Sequence, residues 1–269
     1  MKTIGIDLAG ENSPTGICVL EWSNRNATVK DLSVAKRDIS SIAQEVQNVW
    51  NPRTDAIGID APFDFPIAFS EAVTAMRTGG QPPQGDPRWR LTEKYIKQTK
   101  NPLSSVTSLI TNTVSGRCYP LRHALVGQKC VDRIGYSTRI FEVYPAAALV
   151  SWGIIPVSVV NGEPSYKRSG DDGNNARQGV LDKLLQCTTC NGSPWLIVDD
   201  DSHQQLQAKD DAIDALVSAL VARVAMNVSR PTDPAHVVAP QDLTTVQREG
   251  WIHLPGDRSL DCLPSEPTI

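Results

Sequence analysis

The chain has 269 residues, 40% of them apolar and 21% charged, which is enough length for a sizeable core and an ordinary globular composition. No uninterrupted apolar run approaches the roughly 18–20 residues of a membrane span, so a membrane partner is not expected. The net charge of −4 is mild, but it hides a strong asymmetry: residues 76–139 hold eleven basic side chains against three acids, a local +8, so the remainder carries −12.

An apolar strand is predicted over residues 3–8, starting so close to Met1 that no room is left for a signal peptide; this sets the expectation of a cytoplasmic, reduced protein. Residues 15–21 and 27–34 alternate as two further strands, which with the first make an antiparallel meander. The spacing of Ile39, Ile42, Ala43, Val46 and Val49 predicts a helix over 39–50, with Asp38 or Ser40 near its start. A fourth strand, 55–60, ends at Ala61-Pro62, where proline cannot continue a central ladder. Residues 63–138 form the basic segment, expected to be mostly helical, with a loop at Gly79-Gly80-Gln81-Pro82-Pro83. A fifth strand, 139–144, leads into a helix that tolerates Pro145 in its first turn. Residues 161–174 read as an exposed loop, 176–185 as a helix and 211–224 as the long final helix. From Pro231 onward a proline-rich covering segment includes a short strand within 250–255. The six cysteines lack a framework spacing. Cys187-Thr188-Thr189-Cys190 has no second pair to complete a zinc knuckle and no thioredoxin-like setting, so free cysteines are expected.

Four segments place a carboxylate where one needs a reason. Ile4-Gly5-Ile6-Asp7 and Ile57-Gly58-Ile59-Asp60 are near-identical strands ending in an acid, and Ile140-Phe141-Glu142-Val143 carries an acid within a strand. In Lys209-Asp210-Asp211-Ala212-Ile213-Asp214, Asp211 and Asp214 lie about 60° apart on one helical face. That face continues through Val217, Val221 and Val224, so Asp214 is expected to point towards the core. Asp210 and Asp211 could simply favour the helix N-terminus; Asp214 is too far in for that. Two carboxylates about 4 Å apart repel by roughly 4 kcal/mol at an effective dielectric near 20, so a cluster holds either a proton or a cation. Convergence of Asp7, Asp60, Glu142, Asp211 and Asp214 would therefore make an oxygen-ligand site for Mg²⁺ or Mn²⁺. Two such ions would serve phosphodiester hydrolysis.

The helix Asp210-Asp211-Ala212-Ile213-Asp214-Ala215 resembles the final helix of RuvC-type Holliday-junction resolvases, whose DxxD pair Asp211 and Asp214 match. Nearly the whole chain is similar to a largely uncharacterised family of predicted nucleases with RNase H-like fold. That resemblance is carried by Gly5-Ile6-Asp7-Leu8-Ala9-Gly10, Ile59-Asp60-Ala61-Pro62, Arg90-Leu91-Thr92-Glu93, Phe141-Glu142-Val143-Tyr144-Pro145, Tyr166-Lys167 and Asp210-Asp211-Ala212-Ile213-Asp214-Ala215. It implies an α/β, RNase H-like domain spanning 1–269, with a mixed five-stranded sheet, flanking helices and the basic insertion 63–138 between the fourth and fifth strands, closed by the segment 231–269. It also implies a metal-dependent nuclease acting on nucleic acid.

The basic segment supplies candidate phosphate contacts at Arg77, Arg88, Arg90, Lys94 and Lys97, with Lys167 a further one; a solvated surface is the plainer alternative. Glu142 could be a further ligand or a partner for an arginine, with the site the favoured reading. Two other functions compete. Actin-like or sugar-kinase-like phosphotransferases also end their first strand in an aspartate followed by glycine, but they duplicate the domain, and this chain has no Gly-Gly-Thr turn after Asp7. A catalytically inactive nucleic-acid-binding module would have little use for so many site acids.

Overall fold

The two Ile-Gly-Ile-Asp segments lie side by side at the centre of the molecule. In the computed structural model, which describes residues 1–10, 12–99, 116–156, 165–227, 233–256, 259–261 and 263–265, β1 (Lys2–Asp7) pairs antiparallel with β2 (Thr15–Trp22) and β2 with β3 (Ala27–Ala35). Helix α1 (Ile39–Val49) follows, its first turn capped by Asp38, which accepts from the Ser41 amide at 2.7 Å. Strand β4 (Ala56–Asp60) then runs parallel to β1 in a register that sets Gly5 beside Gly58 and Asp7 beside Asp60. The segment before the next strand contributes α2 (Ile67–Thr78), α3 (Leu91–Thr99) and α4 (Tyr119–Val126), with no helix or strand between Thr78 and Leu91. Residues 100–115 of the expected basic insertion lie outside the described residues.

Strand β5 (Ile140–Val143) pairs parallel with β4 and leads into α5 (Pro145–Ser151), which begins at the proline. Helix α6 (Gly170–Cys187) is longer than expected and takes up part of the predicted 161–174 loop, of which residues 161–164 are not described. Its glycines hide the periodicity, yet Asp171 and Asp172 in the first turn suit the helix dipole. Next come a small hairpin of β6 (Thr189–Cys190) and β7 (Ser193–Pro194), then β8 (Leu196–Ile197) and α7 (Asp200–Ala208), a polar helix that the apolar spacing did not reveal. Helix α8 (Asp210–Ala225) agrees with expectation to within a residue at each end. Helices α9 (Pro234–Val237) and α10 (Leu243–Glu249) and strand β9 (Ile252–His253) follow.

The main sheet is mixed and has seven strands, in the order β8-β3-β2-β1-β4-β5-β9, rather than five. The two additions are two-residue strands at its edges, each parallel to its neighbour and too short to show a period. Cys190 is also a correction: it is disulfide-bonded, whereas Cys18, Cys118, Cys130 and Cys187 are free. The turn after α6 carries Cys190 into the small hairpin, so the CxxC acts as two separate cysteines. No helix among the described residues is long and apolar enough to cross a membrane.

Alternation along the strands builds two layers. Ile4, Ile6, Ile17, Val19, Ile57 and Ile59 pack on one face with Ile42, Ala43 and Val46 of α1 and Leu121 of α4. On the other face lies α8, buried from Ala212 to Ala225 and enclosed on its far side by α5, α6 and α7. The sheet-facing side of α8 is thus its small residues, not the valine stripe read from the spacing. Glycines admit it: a Cβ on Gly5 would lie 1.9 Å from the Ala215 carbonyl oxygen, on Gly16 2.3 Å from that of Asp211, and on Gly58 2.3 Å from that of Ser218. These are backbone atoms, which cannot step aside. Gly5→Ala is therefore expected to cost more than the roughly 1–3 kcal/mol typical of overpacking. A urea melt reads it, and a midpoint within error of wild type would show that α8 can shift freely on the sheet.

Candidate metal centre

The same alternation that turns Gly5 and Gly58 towards α8 turns Asp7 and Asp60 that way, two residues further on at the strand ends. The close seating of α8 then brings the first turns of that helix over these ends. Carboxylate oxygens of Asp7, Asp60 and Asp214 all lie within 4.8 Å of one another. Asp214 is fully buried, while Asp7 and Asp60 are half-buried. Asp211, one turn earlier and half-buried, lies close enough to Asp7 to interact with it.

Asp214 is held by neighbours from a different part of the chain. The Tyr166 hydroxyl donates to its Oδ1 at 2.8 Å, and the Lys167 ammonium lies 2.5 Å from its Oδ2. Both side chains come from the 3-10 turn Ser165–Lys167. Arg177 of α6 fixes that turn, donating from Nη1 to the carbonyls of Tyr166 at 2.8 Å and Arg168 at 3.0 Å, and from Nε to that of Gln207 at 3.0 Å. Lys167 is thus neither a loop lysine in solvent nor a remote phosphate contact. Neither Tyr166 nor Arg177 stood out by residue type or spacing, although Tyr166-Lys167 belonged to the family resemblance.

The electrostatics follow from burial. Burial raises the Asp7 carboxyl well above the usual range, Asp214 and Asp60 push it further, and Lys167 partly opposes them. Asp60 is pushed up to about 7, first by burial and then by Asp214 and Glu142 against the pull of Lys167. Asp211 is raised by burial and by Asp210. The Lys167 ammonium is disfavoured by burial, but Asp214, Tyr166, Asp60 and Asp7 outweigh that and hold it charged. Tyr166 is kept a neutral donor by burial and by Asp214. Three convergent carboxylates form an all-oxygen donor set of the kind that hard divalent cations prefer, so this centre could hold a metal ion.

Two expected site residues belong elsewhere. Glu142 accepts from the Arg90 guanidinium through both oxygens, at 2.5 and 2.9 Å, and from the Phe63 amide at 2.9 Å. It is an arginine partner and not one of the three converging carboxylates. Arg90, expected to contact phosphate, is wholly buried between Glu142 and Glu93 and also donates to the Glu249 carbonyl at 3.2 Å. The Glu249 carboxylate in turn accepts from the amides of Ile67 and Leu91, each at 2.8 Å, at the starts of α2 and α3. Four acidic and basic side chains thus lock the basic segment, β5 and the C-terminal segment together.

Other charges of the basic segment are also internal. Arg117 bonds the Arg37 carbonyl at 3.1 Å, and Arg122 stacks 3.9 Å over the Phe63 ring. Arg88 is exposed but paired with Asp86 at 3.0 Å. Arg77 and Lys94 are exposed, and the Lys97 side chain lies outside the described residues.

Residues 5–237 match the model of a family described as a protein of unknown function (DUF429), and the chain belongs to that family. No curated protein and no solved structure gives a match.

Proposed function

We propose that the protein is a divalent-metal-dependent nuclease of RNase H-like fold that hydrolyses phosphodiester bonds. The observation that carries this reading is the convergence of Asp7, Asp60 and Asp214 from the first strand, the fourth strand and the last long helix. The run β3-β2-β1-β4-β5, with an antiparallel meander and two parallel neighbours, supports the fold assignment.

In this reading Asp7, Asp60 and Asp214 hold Mg²⁺ or Mn²⁺. The chemistry such a cation supplies is Lewis-acid polarisation of the phosphodiester and stabilisation of its leaving oxygen. Tyr166 and Lys167 orient Asp214. Asp211, half-buried beside Asp7, is the carboxylate that would take a proton from an incoming water. Of the expected phosphate contacts, Arg77 and Lys94 are exposed and would meet a nucleic-acid backbone.

Incubation with single-stranded DNA, duplex DNA, RNA and a branched junction in Mg²⁺, Mn²⁺ or EDTA tests the reading. Cleavage of at least one substrate, abolished by chelation, is the expected result. Transfer of phosphate from ATP to a small alcohol would favour the phosphotransferase class. Binding without cleavage under every condition would favour an inactive binding module.

A further inference from the structure

Lys167 brings a positive charge directly onto one of the three convergent carboxylates. Its ammonium is in ion-pair contact with Asp214 Oδ2 at 2.5 Å, and Asp60 and Asp7 also lie close enough to favour its charge. Its side chain is only 28% exposed. The backbone that delivers it is fixed, because Arg177 bonds the carbonyls on either side of Lys167. Gly173 allows α6 to come up against the same turn, where a Cβ would lie 1.8 Å from the Arg168 carbonyl oxygen. A lysine that merely covered an acidic surface would have no need of this support.

We propose that Lys167 is a resident cation, filling one of the two positive positions of the centre, so that the site takes a single divalent ion. The proposal rests on the metal-centre reading above. A second divalent ion would have to displace Lys167 from Asp214, where its ammonium already lies 2.5 Å from Oδ2. Room for the first ion remains, because Asp214 Oδ2 is buried and has no hydrogen-bond donor aligned on it. A carboxylate oxygen has two lone pairs, so the contact with Lys167 leaves one for an ion shared with Asp7 and Asp60.

Lys167 is a positioning residue by this argument, and the decisive readout is an ion count rather than turnover. Isothermal titration with Mn²⁺, with electron paramagnetic resonance of free Mn²⁺ as a second count, would be run on the wild type, Lys167→Met, Lys167→Gln and Lys167→Arg. The wild type and Lys167→Arg are expected to bind one Mn²⁺, and the two neutral variants two. A count of two in the wild type overturns the inference while leaving the metal centre standing, and it decides the matter even if no variant folds. A count of one in both folded neutral variants overturns it as well. No Mn²⁺ binding by the wild type at millimolar concentration removes the metal-centre reading and this inference with it.

Discussion

Arg90→Met is expected to destabilise the protein by about 3–5 kcal/mol, the usual cost of removing one partner from a buried ion pair. That is a large share of the roughly 5–15 kcal/mol that holds a domain folded. Without the guanidinium, Glu142 and Glu93 would be left as neighbouring buried carboxylates, and the Glu249 carbonyl would lose a donor. The damage would reach the metal centre indirectly, since Glu142 lies one strand over from Asp60 and already raises its pKa. Urea denaturation measures the loss, with Lys94→Ala as a surface control expected to stay within about 0.5 kcal/mol of wild type. If Arg90→Met kept wild-type stability but bound nucleic acid less well, Arg90 would be a backbone contact after all, and the buried cluster would not be what joins the basic segment to the sheet.

Asp60→Asn is expected to separate function from stability. On the proposed reading, loss of a direct ligand should weaken Mn²⁺ binding by more than about a hundredfold, beyond the 10–100-fold typical of groups that only support a ligand, and the proposed nuclease activity should fall with it. In chelator at pH 8 the same variant should melt above wild type. The sign follows from the raised pKa. Asp60 titrates at about 7 when folded and near 3.9 when unfolded. Below about pH 4 it is protonated in both states and carries no penalty. Between pH 4 and 7 the unfolded chain releases the proton first, so stability falls as pH rises; above 7 the loss is constant, at most about 4 kcal/mol. Asparagine removes that dependence. Thermal melts of both proteins in EDTA at pH 5 and pH 8, repeated with Mn²⁺, measure it: Mn²⁺ should restore the wild type at pH 8 and leave the variant unmoved. A variant that melts below wild type at pH 8 in chelator would make Asp60 a structural partner.

What the sequence determines by itself is the set of elements whose periodicity is long enough to read. Ile4-Gly5-Ile6 and Ile57-Gly58-Ile59 alternate, so they define two strands, their buried face and an acid at each end. Ile42, Ala43 and Val46 repeat with helical spacing and define the layer on one side. Asp214, one turn inside an apolar helix, could already be placed towards the interior, and its meeting with Asp7 and Asp60 followed once β1 and β4 were neighbours. Two-residue strands have no period, and the polar helix Asp200–Ala208 has no apolar stripe, so β8 and α7 were not legible, while β9 was expected as a short covering strand but not as a member of the main sheet. Nor does a sequence say which charges neutralise each other. Arg90 and Glu142 are 52 residues apart, and Lys167 and Asp214 are 47 apart. In a list of residues each looks like a surface charge or a free ligand. Only the packing of α8 against glycine-bearing strands, and of the Ser165–Lys167 turn against α6, decides that one pair is a buried brace and the other part of the centre itself. The physical reason is that burial pattern is a local property of the chain, whereas the cost of a buried charge is met by whichever opposite charge the tertiary structure brings within a few ångströms.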